Sequence, residues 1–228
     1  MTQQPSIVAI VPMRHNSERV PGKNYRPLGG VPLYHHITKA LFAAPSISKV
    51  VIDTDSPIIM EDAAHAFPEV IVFERPEHLR DGNTSMNQVL LNTISQIPAD
   101  FYVQTHSTNP LLKTQTIERA IQAFLQSSEY DSLFSVTRLQ TRLWDKNGQP
   151  MNHDRNVLLR TQDLPPVYEE NSNLYIFDKA TLEKRGNRIG TRPLMFEIDA
   201  AEACDIDDEL DFKTAEFLFL QRNAGNKV

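Results

Sequence analysis

The 228-residue sequence predicts an α/β protein with a doubly wound, mostly parallel sheet. Three observations predict it. Ile7-Val8-Ala9-Ile10-Val11 is an apolar run without alternation, as in a parallel strand covered on both faces. Short β-branched segments then alternate with amphipathic helical stripes as far as Leu125. A chain of this length, 40% hydrophobic and 23% charged, can bury one sizeable core, and nothing forces a second.

The elements follow in order. After the first strand and its loop, Leu33, Ile37, Ala40, Leu41 and Ala44 recur at helical spacing until Pro45 stops them. Lys49 to Asp53 reads as a strand, and Ser56-Pro57 as an N-cap followed by a first-turn proline. Val70 to Phe73 is a third strand. Val89, Leu90, Thr93, Ile94 and Ile97 form a helical stripe beginning near Thr84. Phe101-Tyr102-Val103 is the fourth strand, and Ile117, Ala120, Ile121, Phe124 and Leu125 trace the fourth helix. The alternation stops at Leu139. Residues 139–170, with a hairpin turn at Asn147-Gly148, read as a projecting β-rich insertion, either a surface excursion or an arm that packs on a partner. Asn171 to Phe177 resumes as strand, and Glu209 to Asn223 closes as a helix with Leu210, Phe212, Ala215, Leu218 and Phe219 inward.

Composition excludes several classes. No apolar stretch approaches the ~20 residues that span a bilayer, and MTQQPSIVAIVP lacks the features of a secretion signal. A single cysteine, Cys204, forms no internal disulfide, so the expected setting is a reducing cytoplasm without membrane partners. The formal charge is -6, yet residues 13–26 hold Arg14, Arg19, Lys23 and Arg26 against Glu18 alone. Cations concentrated on an acidic chain suit a small anion, phosphate first, rather than nucleic acid. Pro21-Gly22-Lys23-Asn24 is not a P-loop, because the upstream glycine is missing and Asn24 replaces Ser or Thr.

The segment Arg14-His15-Asn16-Ser17-Glu18-Arg19-Val20-Pro21-Gly22-Lys23-Asn24, followed by Pro27-Leu28-Gly29-Gly30-Val31-Pro32-Leu33, resembles the signature loop of the acylneuraminate cytidylyltransferases, or CMP-sialic acid synthetases. That resemblance implies a loop that holds the CTP triphosphate, with Arg14, Ser17, Arg19, Lys23 and Asn24 on the nucleotide and Arg14 and Lys23 catalytic. Glu18 stands where the family usually has Lys, and Arg19 is similar to an Arg of the related CMP-Kdo synthetases. The resemblance further implies one Rossmann-like nucleotidyltransferase domain over residues 1–228. It makes 139–170 a dimerisation arm, and hence implies a homodimer.

Asp205-Ile206-Asp207 could turn two carboxylates to one side of an extended segment, while Asp208 and Glu209 suit a helix N-terminus. The family's D-I-D and E-L fall on Asp205-Ile206-Asp207 and Glu209-Leu210, implying Mg²⁺ or Mn²⁺ on Asp205 and Asp207. A competing D-x-D, Asp53-Thr54-Asp55, is the pattern of metal-dependent glycosyltransferases and takes second rank.

Arg75 and Asp81-Gly82-Asn83-Thr84-Ser85 resemble the cytosine-reading segment, with Arg75, Asn83 and Ser85 as contacts; capping by Thr84 or Asn83 is the structural alternative. His106-Ser107-Thr108-Asn109-Pro110-Leu111 is similar to the family's Q-P-T-S-P-L. It implies sugar contacts from His106 and Thr108, with acid or base work open to a histidine.

Arg160-Thr161-Gln162-Asp163-Leu164-Pro165 and Tyr168 to Asn173 resemble the R-x-Q-x-L-P and Y-E-N-G segments. They imply a catalytic Arg160, serving the transition state or the sugar carboxylate, and substrate contacts from Gln162 and Asn171. Thr161 and Ser172 depart from the pattern. The implied reaction activates a 2-keto-3-deoxy sugar acid with CTP, releasing pyrophosphate. The alternatives are a CMP-Kdo-type synthetase, a nucleotide-sugar glycosyltransferase and a non-catalytic nucleotide binder.

Overall fold

A computed structural model describes residues 4–225. β1 (Ile7–Met13) is buried along its whole length within a seven-stranded sheet. Two short strands, β2 (Pro27–Leu28) and β3 (Val31–Pro32), pair antiparallel beside the loop that follows it. β1 is paired in parallel with β4 (Lys49–Thr54) on one side and with β6 (Phe101–Thr105) on the other, and β5 (Ile71–Glu74) lies outside β4. Beyond β6 come β8 (Val167–Phe177), β7 (Ser132–Leu139) and β9 (Pro193–Glu197). β8 runs antiparallel to both neighbours and β9 parallel to β7, so only β8 opposes the common direction.

Helices cover both faces, as the unalternating β1 run requires. Ile7, Ala9 and Val11 pack with residues of α1 (Leu33–Phe42), α2 (Pro57–Ala66) and α4 (Thr114–Leu125). Val8 and Ile10 pack on the other side with α3 (Met86–Gln96) and α5 (Lys179–Arg185). α6 (Glu209–Gly225) builds a smaller third cluster with Val20, Leu28, Leu33 and Ile206. The chain moves from β1 outward to β4, then back across β1 to β6. The carboxyl end of β1 is therefore the switch point where open α/β sheets bind ligands.

Some element details differ from the sequence reading. α3 starts at Met86, because the Ser85 hydroxyl accepts from Gln88 N–H while the Gln88 side chain returns to the Ser85 N–H. Leu210 is not inward: it is 72% exposed, on the first turn of α6, where Phe212 and Ala215 face the core. The paired β residues of the 139–170 segment lie at its ends, where Val136–Leu139 meet Val167–Glu170. Between them stand one Trp144–Pro150 bridge around Asn147-Gly148 and a single 3₁₀ turn, Thr161–Asp163. Several of its apolar side chains point outward, Leu158 at 91% exposure, with Trp144, Met151 and Val157 also exposed, whereas Leu164 is buried.

Candidate active site

The loop after β1 is held in shape by backbone and ring contacts. Gly22 takes φ +66, and a Cβ there would meet the Tyr25 ring at 2.8 Å, so this turn needs glycine. His15 stacks on Tyr25, its N–H donates to Asp55 Oδ1 at 2.7 Å, and its ring bonds Ser56 Oγ at 2.8 Å. The buried Asn24 donates to the Arg14 carbonyl and accepts from Ser107 Oγ, both at 2.7 Å. Loop, α2 and the β6 exit are thereby locked together.

A cleft of about 840 Å³ opens above this loop, at the switch point. Arg14, Ser17, Arg19, Lys23 and Asn24 line one wall, Arg75 and Asp81–Thr84 another, and His106, Ser107 and Thr108 a third. Nine of the residues singled out from the sequence therefore share one cavity: Arg14, Ser17, Arg19, Lys23, Asn24, Arg75, Asn83, His106 and Thr108. The Arg14 guanidinium lies over Gly82, where a Cβ would approach it to 3.2 Å.

The acidic run stands directly against the cationic loop. Arg19 pairs with Asp207 at 2.7 Å, Lys23 Nζ donates to the Ile206 carbonyl at 2.5 Å, and Arg26 pairs with Glu209 at 2.5 Å. Burial lowers the Lys23 pKa from the ordinary lysine value, while Asp205 and Asp207 favour its charge. Asp205 moves the other way: burial raises it, Asp207 adds to the rise, and Thr108 and Lys23 oppose it. Asp205 Oδ1 is buried without a hydrogen-bond partner. Two neighbouring carboxylates with an orphaned buried oxygen fit a hard divalent cation. Among the described residues no third Asp, Glu, His or Cys joins them, so the rest of such a shell would be water and ligand oxygens. Asp208 and Asp211 serve α6 instead: Asp208 Oδ1 accepts from Leu210 and Asp211 N–H, and Asp211 Oδ2 from Asp207 and Asp208 N–H.

Several side chains are committed elsewhere. Asp53 is fully buried, with one oxygen on Arg75 Nε at 2.6 Å and the other on the Thr93 hydroxyl at 2.7 Å, while Asp55 holds the His15 N–H. The Asp53-Thr54-Asp55 motif is thus scaffold, and Arg75 both lines the cleft and neutralises it. Ser85, rather than Thr84 or Asn83, caps α3. Asn171 is buried between β7 and β8, accepting from Ser135 Oγ at 2.6 Å and donating to Thr137 Oγ1 at 2.9 Å. Its neighbour Ser172, one of the departures from the resemblance, adopts φ +56, in the left-handed region that favours glycine. Arg160 and Gln162 sit on the exposed insertion outside the cleft lining, with Arg160 paired to Asp163 at 2.7 Å.

His106 is not an acid or base near neutrality. Burial, then Arg188, then Lys23 lower its pKa to about 3. Gln104 Nε2 donates to its Nε2 at 2.9 Å, which leaves the ring neutral with that nitrogen as acceptor. Gln104 and Arg188 carry no signal in the sequence that marks them as site residues. Gln104 sat inside an apolar strand, and Arg188 in a polar turn with no motif around it.

Switch-point cleft, cationic loop and facing carboxylates together define an α/β nucleotidyltransferase. A family model described as cytidylyltransferase matches residues 8–224, and the chain belongs to that family. It is 27% identical over 217 residues to N-acylneuraminate cytidylyltransferase A of Danio rerio, covering 92% of this chain and 50% of that protein. The chain thus spans half the length of that relative. It is 26% identical to CMP-N,N'-diacetyllegionaminic acid synthase of Legionella pneumophila, with 93% of this chain and 95% of that one covered. Among solved structures, CMP:2-keto-3-deoxy-manno-octonic acid synthetase complexed with CTP superposes with a TM-score of 0.75 at 17% identity, covering 95% of this chain and 99% of that one.

Proposed function

We propose that this chain transfers the cytidylyl group of CTP to the anomeric hydroxyl of a 2-keto-3-deoxy sugar acid and releases pyrophosphate. The observation that carries the reading is that Arg14, Arg19 and Lys23 line the cleft while Asp205 and Asp207 stand directly beside Arg19 and Lys23. In-line transfer at a phosphorus depends on positioning and on neutralising charge, and these side chains do both. Arg14, Arg19 and Lys23 bind the triphosphate, the Arg75–Asn83 corner takes the base, and Thr108 with neutral His106 contacts the acceptor. Mg²⁺ or Mn²⁺ on Asp205 and Asp207 would supply the charge that draws phosphate oxygens together and eases loss of the hydroxyl proton. Arg160 and Gln162, remote from their own cleft on an outward-facing apolar arm, act in this reading on a second copy, in a homodimer. The enzyme works in the cytoplasm, where CTP is made.

The names of the sequence relatives favour a nonulosonate acceptor. Incubation with CTP, Mg²⁺ and a panel of sialic, deaminated sialic, legionaminic, pseudaminic and Kdo acids, read as pyrophosphate release, tests this. One acid is expected to drive release. Silence from all of them with intact CTP binding would leave a non-catalytic homologue. In Lys23→Ala, turnover is expected to fall at least ~100-fold with little change in melting temperature; unchanged release would refute the loop assignment.

A further inference from the structure

We infer that Arg188 is the cation that binds the acceptor's carboxylate, from within the same chain as the cleft. The inference rests on the acceptor being a sugar acid, as proposed above. Arg188 lies in the turn between α5 and β9, and its backbone N–H is tied to Asn87 Oδ1 of α3 at 3.3 Å. Its guanidinium stacks 3.6 Å above the Tyr175 ring of β8. Nη1 donates to Gln104 Oε1 at 2.6 Å, and Gln104 donates in turn to His106, a cleft-lining residue. A fixed relay of side chains therefore runs from this turn into the third wall of the cleft.

The charge on Arg188 is unanswered. No carboxylate pairs with it among the described residues, and Gln104, its one side-chain hydrogen-bond partner there, is neutral. The contrast is Arg75, which is more deeply buried and is matched by Asp53. A partly buried guanidinium seated on an aromatic face, with donors to spare and no counter-ion, is arranged for an incoming anion. Arg188 and Lys23 both depress the His106 pKa, so cations stand near the imidazole from two separate elements. Lys23 belongs to the triphosphate side. Arg188 is left for the acceptor, whose carboxylate sits on the anomeric carbon and so orients the attacking hydroxyl. Arg160 does not meet this need within one chain, since it is exposed and already paired to Asp163.

The test compares an accepted acid with its carboxamide, which keeps the anomeric hydroxyl and loses the charge, in wild type, Arg188→Met and Arg188→Lys. Wild type is expected to prefer the acid by roughly 10- to 100-fold in kcat/KM, the scale of a charge-assisted hydrogen bond. Arg188→Met is expected to lose that preference to within about 3-fold, through the acid alone and at unchanged KM for CTP, and Arg188→Lys to recover part of it. Equal losses on acid and carboxamide in both variants would make Arg188 a structural clamp and overturn the inference. Wild type that releases pyrophosphate with no acid would overturn the sugar-acid reading itself, and this inference with it.

Discussion

Asp205→Asn is expected to make the protein more stable and far less active. Burial and the adjacent Asp207 raise the Asp205 pKa, and its Oδ1 has no partner, so the ionised carboxylate is held at a penalty. The folded state thus keeps the carboxyl proton more tightly than the unfolded one. Below the unfolded value of 3.8 the group is protonated in both states and the penalty vanishes; above the raised folded value it is complete. At neutral pH the isosteric amide removes it. Relief of this kind at a functional site is worth about 0.5–2 kcal/mol, and for a chain of this size each kcal/mol moves the melting temperature by roughly 2–4 °C. Thermal melts at pH 7 and near pH 4 are expected to show the variant's advantage at the first and its shrinkage at the second. Pyrophosphate release with Mg²⁺ is expected to fall at least ~100-fold. A variant less stable at pH 7, or one that keeps full turnover, would refute the account of the acidic pair.

Arg75→Met removes the partner of the buried Asp53 and is expected to cost about 3–5 kcal/mol, read from the urea midpoint; a cost under about 1 kcal/mol would refute the buried ion pair as a structural tie. His106 is neutral when folded but takes a proton near pH 6.5 when unfolded, so stability falls as pH drops through the interval from 6.5 towards 3, by up to ~1.4 kcal/mol per unit. His106→Gln is expected to flatten that slope while leaving the pH–rate profile without any lost ionisation near neutrality. Leu158→Asp, at the most exposed apolar position of the insertion, is expected to break the proposed homodimer, read by sedimentation as monomer where the unaltered protein sediments as dimer, at unchanged melting of the core.

The sheet was legible because its signals are local. An unalternating β1, the Ser56-Pro57 start of α2 and the apolar stripes of α1, α3 and α4 each depend on a few neighbouring residues. Leu210 was misplaced because α6 packs through a narrow seam of Phe212, Ala215 and Phe219, and a first-turn leucine falls outside it. For the cleft, loop residues were found through their concentration of charge. What stayed hidden is pairwise. That Asp53 exhausts both oxygens on Arg75 and Thr93, that Asn171 bridges Ser135 and Thr137, and that Arg188 reaches Gln104 all join residues 22 to 84 positions apart. No periodicity records such partners.

The loop and the acidic run are separated by more than 180 residues, yet three contacts join them: Arg19 to Asp207, Lys23 to the Ile206 carbonyl, and Arg26 to Glu209. Without these acids, the cations would repel one another across an open cleft; with them, the unliganded site is close to self-neutral. The ties differ in what breaking them costs. Arg19 and Asp207 are 65% and 52% exposed, so their pair contributes no more than about 1 kcal/mol and salt screens it. Lys23 is partly buried and its bond is to backbone, which holds the lysine in place. In the proposed reaction, a triphosphate arriving with a divalent ion would have one inexpensive exchange to make: Arg19 would leave Asp207 for phosphate, which would free that carboxylate to serve as a metal ligand. Lys23 needs no such rearrangement, which is why its substitution is expected to act on turnover rather than on folding.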